Sequence, residues 1–141
     1  MSNRPTVESD DPGVIRSVAV TVGDVVAALE ANRALDRGAV LRITPPFSGR
    51  MRARLHVVDE ALEGETDSIH LDPDMLVTDV PAYPTADETA AEMTSDDLES
   101  HRQRHTERIA AWRETVRGQL RNEIRFDHPS GSVDVQLLAL G

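Results

Sequence analysis

One stretch of this chain, from Arg50 to Val58, alternates so strictly between apolar and basic side chains that it predicts a β-strand. Apolar and basic residues alternate along it: Met51, Ala53, Leu55 and Val57 are apolar, and Arg50, Arg52, Arg54 and His56 are basic. Successive side chains of a strand point to opposite faces of the sheet. We therefore expect a sheet whose apolar face is buried and whose other face carries a row of basic groups.

The residues before this strand predict a β-α-β arrangement. Residues 14–20 are apolar and β-branched, which favours a strand. Thr21 and Asp24 resemble a capping box, because the hydroxyl accepts a hydrogen bond from an early helix amide and the carboxylate suits the positive end of the helix dipole. The helix is predicted to end near Leu35, where an Asp-Arg-Gly sequence follows. Residues 39–44 are predicted to form the next strand.

A second helix is predicted to be the longest element. It begins at residues 94–97, where Asp97 follows Thr94 with the spacing of a capping box and acids occupy the first turn. It ends near Asn122 and contains Gly118. One face carries side chains that recur every three or four residues: Leu98, His101, His105, Ile109, Trp112, Val116 and Leu120.

The order of the predicted elements favours an α+β fold. The other segments are an acidic connection (59–67), short apolar runs (68–71 and 75–80), an acidic loop or one short helix (85–94), and two final strands (124–126 and 133–140). One short and one long helix on one face of a mainly antiparallel sheet would bury every apolar stripe in a two-layer architecture.

Length and cysteine content bound the fold further. The chain has 141 residues, which predicts a single domain over residues 14–141 after a flexible tail over residues 1–13. It has no cysteine, which excludes disulfides, a thiol nucleophile and cysteine-ligated metals. No apolar run approaches the roughly 20 residues of a membrane span, and the polar N-terminus is unlike a secretory signal. We therefore expect a cytoplasmic protein.

The charged residues have an unusual composition. All 15 basic residues are arginine, and 25 acidic residues bring the net charge to −10. This composition resembles that of cytosolic proteins from extreme halophiles, especially haloarchaea, although a GC-rich genome would also favour arginine over lysine. The resemblance implies molar salt, in which the Debye length is only about 3 Å and long-range steering is weak.

The acidic residues are concentrated in one segment. Residues 59–99 contain 14 acids and no arginine, whereas residues 14–58 contain seven arginines and three acids. Two readings follow with equal weight. The acidic segment is exposed or disordered, or it lies against the arginines of residues 14–58.

The basic face of the predicted strand is the first candidate site. Its arginines, at intervals of about 6.6 Å, can bind phosphates or carboxylates in bidentate fashion. The candidate ligand-binding residues are Arg50, Arg52, Arg54, His56 and, on the preceding strand, Arg42. The alternative is a solvated face paired with the acids of residues 59–99. Nucleic acid is disfavoured, because the protein is acidic and only Phe47 among the aromatic residues lies near the stripe.

Two features of the long helix suggest other sites. His101 and His105 have the i, i+4 spacing of a shared metal, but the glutamate that follows the first histidine in zinc peptidases is replaced by Arg102. Trp112, with Ile109 and Val116, would centre a homodimer interface if the helix projects from the sheet.

No catalytic motif points to an enzyme. The sequence has neither a Gly-x-Ser-x-Gly elbow nor a glycine-rich phosphate loop, and no cofactor is predicted. The leading hypothesis is a non-enzymatic protein-interaction or regulatory module. The alternatives are a small protein or enzyme that binds an anionic ligand through the basic strand face and, third, a nucleic-acid-binding protein.

Overall fold

The computed structural model describes residues 9–58, 67–92, 97–129 and 131–141. These residues form seven strands and three α-helices in chain order: β1 (Ser17–Thr21), α1 (Val22–Leu35), β2 (Ala39–Ile43), β3 (Arg50–Arg52), β4 (Arg54–Val57), β5 (Ile69–Leu71), α2 (Ala86–Glu92), α3 (Leu98–Arg117), β6 (Glu123–His128) and β7 (Gly131–Leu140). Short 3-10 turns occupy Pro12–Val14 and Pro73–Leu76.

The strands form two sheets, and the chain passes directly from one sheet to the other between β3 and β4. The first sheet has the order β3-β1-β7-β6 and the second has the order β4-β2-β5. Strand β1 is parallel to both of its neighbours, and the other three pairings are antiparallel. The structure thus confirms an α+β fold with mainly antiparallel sheets, although three helices are present rather than two.

The chain changes sheets at Ala53, which lies between β3 and β4. Ala53 is fully buried and its amide donates to the carbonyl of Ala19 at 3.0 Å. Beyond it, Leu55 and Val57 are 39% and 47% exposed. The expectation that these two residues share the buried face of Ala53 is wrong, because β4 leaves the first sheet and pairs with β2 instead.

Helix α1 is fixed at both ends by the residues that the sequence indicates. The Thr21 side chain accepts from the amide of Asp24 at 3.2 Å, and Asp36 ends the helix in the left-handed conformation with φ of 51°. The side chain of Asn32 then makes two hydrogen bonds to the backbone of Ala39, at 2.6 and 2.9 Å. These two bonds fasten the start of β2 to the helix.

Helix α3 is shorter than the sequence predicts. It ends at Arg117, and Gly118 forms its C-cap rather than an interior turn. A glycine costs about 1 kcal/mol in a helix interior relative to alanine. Leu120 instead forms a β-bridge with Val77. At the other end of the predicted apolar face, Leu98 is exposed.

The N-terminal segment is anchored from Ser9 onward. The backbones of Ser9 and Phe47 exchange two hydrogen bonds, at 2.7 and 2.8 Å, and Phe47 is buried. Pro12 is buried as well. Residues 9–13 therefore contact the rest of the fold, and residues 1–8 lie outside the described residues. The flexible tail stays a prediction.

A cluster of three polar side chains joins the helices. Arg113 of α3 donates two hydrogen bonds to Glu30 of α1, at 2.7 and 2.9 Å, and the hydroxyl of Tyr83 donates to the same carboxylate at 2.7 Å. The bond from Arg113 holds the pKa of Glu30 below its usual value. Burial, followed by the bond to Glu30, raises the pKa of Tyr83 to about 12.

Stability should therefore fall at alkaline pH through Tyr83. A tyrosine ionises near pH 10 in an unfolded chain, so a higher value in the folded state stabilises the fold below about pH 10, and that contribution is lost as the pH rises toward 12. The chain has one tyrosine, no lysine and no cysteine, so no other side chain ionises in this window. We expect the free energy of unfolding to fall by on the order of 1 kcal/mol between pH 9.5 and pH 11.5, after allowance for partial exposure.

Denaturant unfolding of the wild type and Tyr83→Phe across this range checks the expectation. The variant should show a flatter pH profile, because it has no phenol to ionise. Parallel profiles for the two proteins would contradict the role of Tyr83.

Candidate functional site

The three arginines of the basic strand face and Arg42 of β2 line one groove. This arginine groove has a volume of about 440 Å³ and is lined by Arg42, Thr44, Arg50, Met51, Arg52, Arg54, Leu55 and His56. All five candidate ligand-binding residues therefore meet at one place. Thr44, Met51 and Leu55 also line the groove and are not among the candidates from sequence, although the alternation along β2 places Thr44 on the face of Arg42.

The alternation of β2 explains why Arg42 points into the groove. Leu41 and Ile43 on either side of it are fully buried in the core, so Arg42 and Thr44 occupy the opposite face. Helix α1 contributes Leu29 to the same core. The arginine groove thus lies on the side of the second sheet that faces away from the core.

Strand register places basic side chains directly opposite each other. Arg42 is the cross-strand partner of Arg54 on one side and of His70 on the other. Arg42 Nη1 lies 3.4 Å from His56 Nε2, and the rings of His56 and His70 are 5.6 Å apart between centroids. Like charges in directly opposite positions destabilise a sheet. Arg42 and Arg54 therefore place two positive charges in directly opposite positions.

No carboxylate among the described residues lines the arginine groove. The described acids of the segment 59–99 that form ion pairs do so elsewhere: Asp74 with Arg33 at 2.8 Å, and Glu92 with Arg108 at 2.9 Å. Arg33 belongs to residues 14–58, so one pair follows the intramolecular reading of the charge segregation. Residues 59–66 lie outside the described residues.

The candidate metal ligands His101 and His105 connect two helices. His105 Nδ1 lies 3.0 Å from the hydroxyl of Thr89, which is fully buried, and His101 Nε2 lies 3.3 Å from the carbonyl oxygen of Ala86. Both contacts dock α2 on α3. Within the described ranges, no group of three or more ligand-type side chains is arranged to hold a metal ion. The metal site stays a prediction, and the contacts give both histidines a structural role.

The candidate interface residues lie largely inside the chain. Trp112 is 4% exposed and Val116 is fully buried, while Ile109 is half-buried. The indole N–H of Trp112 donates to the carbonyl of Pro81 at 2.9 Å, and its ring meets that of Tyr83 edge to face at 5.0 Å. Trp112 and Val116 therefore offer no surface for a dimer in this structure.

Comparison with known proteins identifies a family but no activity. A family model described as a domain of unknown function (DUF8009) matches residues 5–141. Neither the curated proteins nor the solved structures gave a match. Across the described ranges, no helix combines the length and the apolar character that a bilayer crossing requires.

Proposed function

We propose that this chain, which belongs to the family of domains of unknown function DUF8009, is a non-enzymatic binding module that captures an oxyanionic group of its partner in the arginine groove. The partner is defined by the chemical group that it presents to the groove, which is a phosphate or a carboxylate. A protein partner with acidic or phosphorylated side chains, as the interaction-module hypothesis requires, and a small anionic ligand would both present such groups.

The observation that carries this proposal is the direct opposition of Arg42 and Arg54 on β2 and β4. Two guanidinium groups on neighbouring strands repel each other unless an anion lies between them. No carboxylate of the described residues lines the groove to serve as that anion. An oxyanion from a partner would convert the repulsion into two bidentate, charge-assisted contacts.

The four arginines of the groove favour binding over catalysis. Arginine has a planar fork of donors that matches phosphate and carboxylate geometry, and it stays protonated at every working pH. It therefore holds an anion well but does not exchange protons as an acid–base catalyst must.

We further propose that the module works in the salt-rich cytoplasm of a halophilic archaeon. The absence of lysine and the net charge of −10 support this setting. Surface carboxylates keep such a protein hydrated and soluble in molar salt, where exposed charges interact almost only at contact. A groove that binds by direct bidentate contacts suits that solvent better than one that depends on long-range attraction.

The test is an NMR titration of the full-length protein with inorganic phosphate in molar KCl. We expect saturable shifts of the backbone amides of β2 and β4 and of the side-chain Nε–H signals of Arg42 and Arg54. The substitutions Arg42→Gln and Arg54→Gln should each weaken binding about tenfold or more, since each removes one of the two charged forks. Neither should destabilise the fold, because each also relieves a like-charge contact.

Arg102→Gln is the matched control. Arg102 lies on the exposed side of α3, outside the groove, and its substitution removes the same charge. We expect its affinity for phosphate to equal that of the wild type. Non-saturable shifts spread over all arginines, or equal weakening by Arg102→Gln, would show that phosphate responds only to net charge and would overturn the proposal.

A further inference from the structure

We propose that the ligand of the arginine groove is a short linear phosphate chain, of three phosphates or so, that crosses the bend at Ala53 and contacts arginines of both sheets. This inference rests on the proposed function and narrows its ligand class. The phosphate chain has two sources, a free oligophosphate and the phosphate tail of a nucleotide, and the experiment below distinguishes them.

Charge matching is the first argument for a chain rather than a single group. The groove is lined by four arginines, and no described acidic side chain lines it. One inorganic phosphate carries at most about two negative charges and would leave about half of the guanidinium charge without compensation. A chain of three phosphates carries about four to five negative charges, which matches the groove. A single carboxylate matches it least.

The positions of the arginines are the second argument. Arg42 and Arg54 belong to the second sheet, whereas Arg50 and Arg52 belong to β3 in the first sheet. Since strands rise about 3.3 Å per residue, the basic row from Arg50 to Arg54 covers about 13 Å. A single tetrahedral anion between Arg42 and Arg54 does not also bind Arg50 and Arg52. These two arginines of β3 would bind a second anionic group farther along the groove.

Small neighbours keep the β3 end of the groove open. In the parallel register with β1, Arg50 lies beside Ser17 and Arg52 lies beside Ala19. Both small residues are only half-buried, and Arg50 and Arg52 are themselves exposed. An elongated ligand can therefore continue from the Arg42–Arg54 pair past Ala53 along β3.

The lining of the groove disfavours a nucleic-acid strand. Single-stranded nucleic acids bind on aromatic platforms that stack successive bases. Among the described residues that line the groove, the only ring is that of His56. A short phosphate chain needs no stacking platform and stays within the basic row.

The experiment compares phosphate, pyrophosphate, tripolyphosphate, ATP and a short oligothymidylate as titrants of the full-length protein in molar KCl. We expect tripolyphosphate to bind about tenfold or more tightly than phosphate. The double substitution Arg50→Gln/Arg52→Gln should abolish this gain, so that the variant binds tripolyphosphate and inorganic phosphate with about equal affinity. Arg50 and Arg52 are exposed, and an unchanged amide spectrum of the variant outside β3 would show that it is folded.

The outcomes separate this inference from the proposed function. Equal affinities for phosphate and tripolyphosphate, or a gain that survives Arg50→Gln/Arg52→Gln, would overturn the chain ligand while the single-anion site stands. Absence of binding by every titrant would overturn both, and tighter binding of oligothymidylate than of tripolyphosphate would overturn the chain ligand in favour of nucleic acid. ATP binding as tightly as tripolyphosphate, or more tightly, supports a nucleotide tail, and weaker binding supports a free oligophosphate.

Discussion

Replacing Trp112 with alanine should lower the free energy of unfolding by about 4 kcal/mol. The substitution deletes the largest side chain of the α3 face, which is 4% exposed and packs edge to face on Tyr83. It also leaves the carbonyl oxygen of Pro81 without the indole donor that reaches it at 2.9 Å. Denaturant unfolding measures the loss, and it should not depend on protein concentration.

The conservative variant Trp112→Phe separates packing from hydrogen bonding. It keeps a ring against Tyr83 and loses only the N–H donor and part of the area, so a loss of about 1 to 2 kcal/mol is expected. A loss below about 1.5 kcal/mol for Trp112→Ala would contradict the buried position. A loss that grows on dilution would indicate that Trp112 belongs to a dimer interface, as the helix pattern suggests when it is considered without the fold.

Replacing Ala53 with aspartate should cost at least about 3 kcal/mol, because it places an uncompensated charge in the core. Ala53 is fully buried at the point where the chain passes from the first sheet to the second. Thermal unfolding followed by circular dichroism measures the destabilisation. Because the two halves of the arginine groove meet at this bend, the variant should also lose the preference for tripolyphosphate over phosphate.

Val57→Asp is the control for this substitution. Strict alternation places Val57 on the same face as Ala53, but the structure leaves it 47% exposed on β4. We expect a loss of less than about 1 kcal/mol, the range of strand propensities. Comparable losses for the two variants would mean that the strand runs unbroken through one sheet, which would contradict the change of sheets at Ala53.

The candidate groove was largely predictable from local pattern. The period of two along residues 50–56 puts Arg50, Arg52, Arg54 and His56 on one side of the backbone wherever that strand lies. For Arg42, the sequence predicts only that it lies on the neighbouring strand. Its direct opposition to Arg54 depends on the β2–β4 register, which a single sequence does not specify.

The apolar face of α3, in contrast, could not be interpreted from local pattern alone. The spacing of His101, His105 and Trp112 correctly places them on one side of a helix, but the same pattern fits a metal pair, a dimer seam and a core contact. The structure shows which residues lie opposite these side chains within the chain, and the metal pair and the dimer stay predictions. Thr89 and Ala86 of α2 meet the histidines, and Pro81 and Tyr83 meet the tryptophan.

The sequence by itself determined the α+β class, the cap at Thr21, the stop at Asp36 and the basic character of one strand face. These features depend on residues within a few positions of each other, where side-chain spacing and backbone preference act directly. The tertiary structure decided the change of sheets at Ala53, the end of α3 at Gly118 and the partners of each buried polar group. These features depend on pairings between segments distant along the chain, such as β1 with β7. The free-energy differences between residue types in helices and strands are too small to select one such pairing over another.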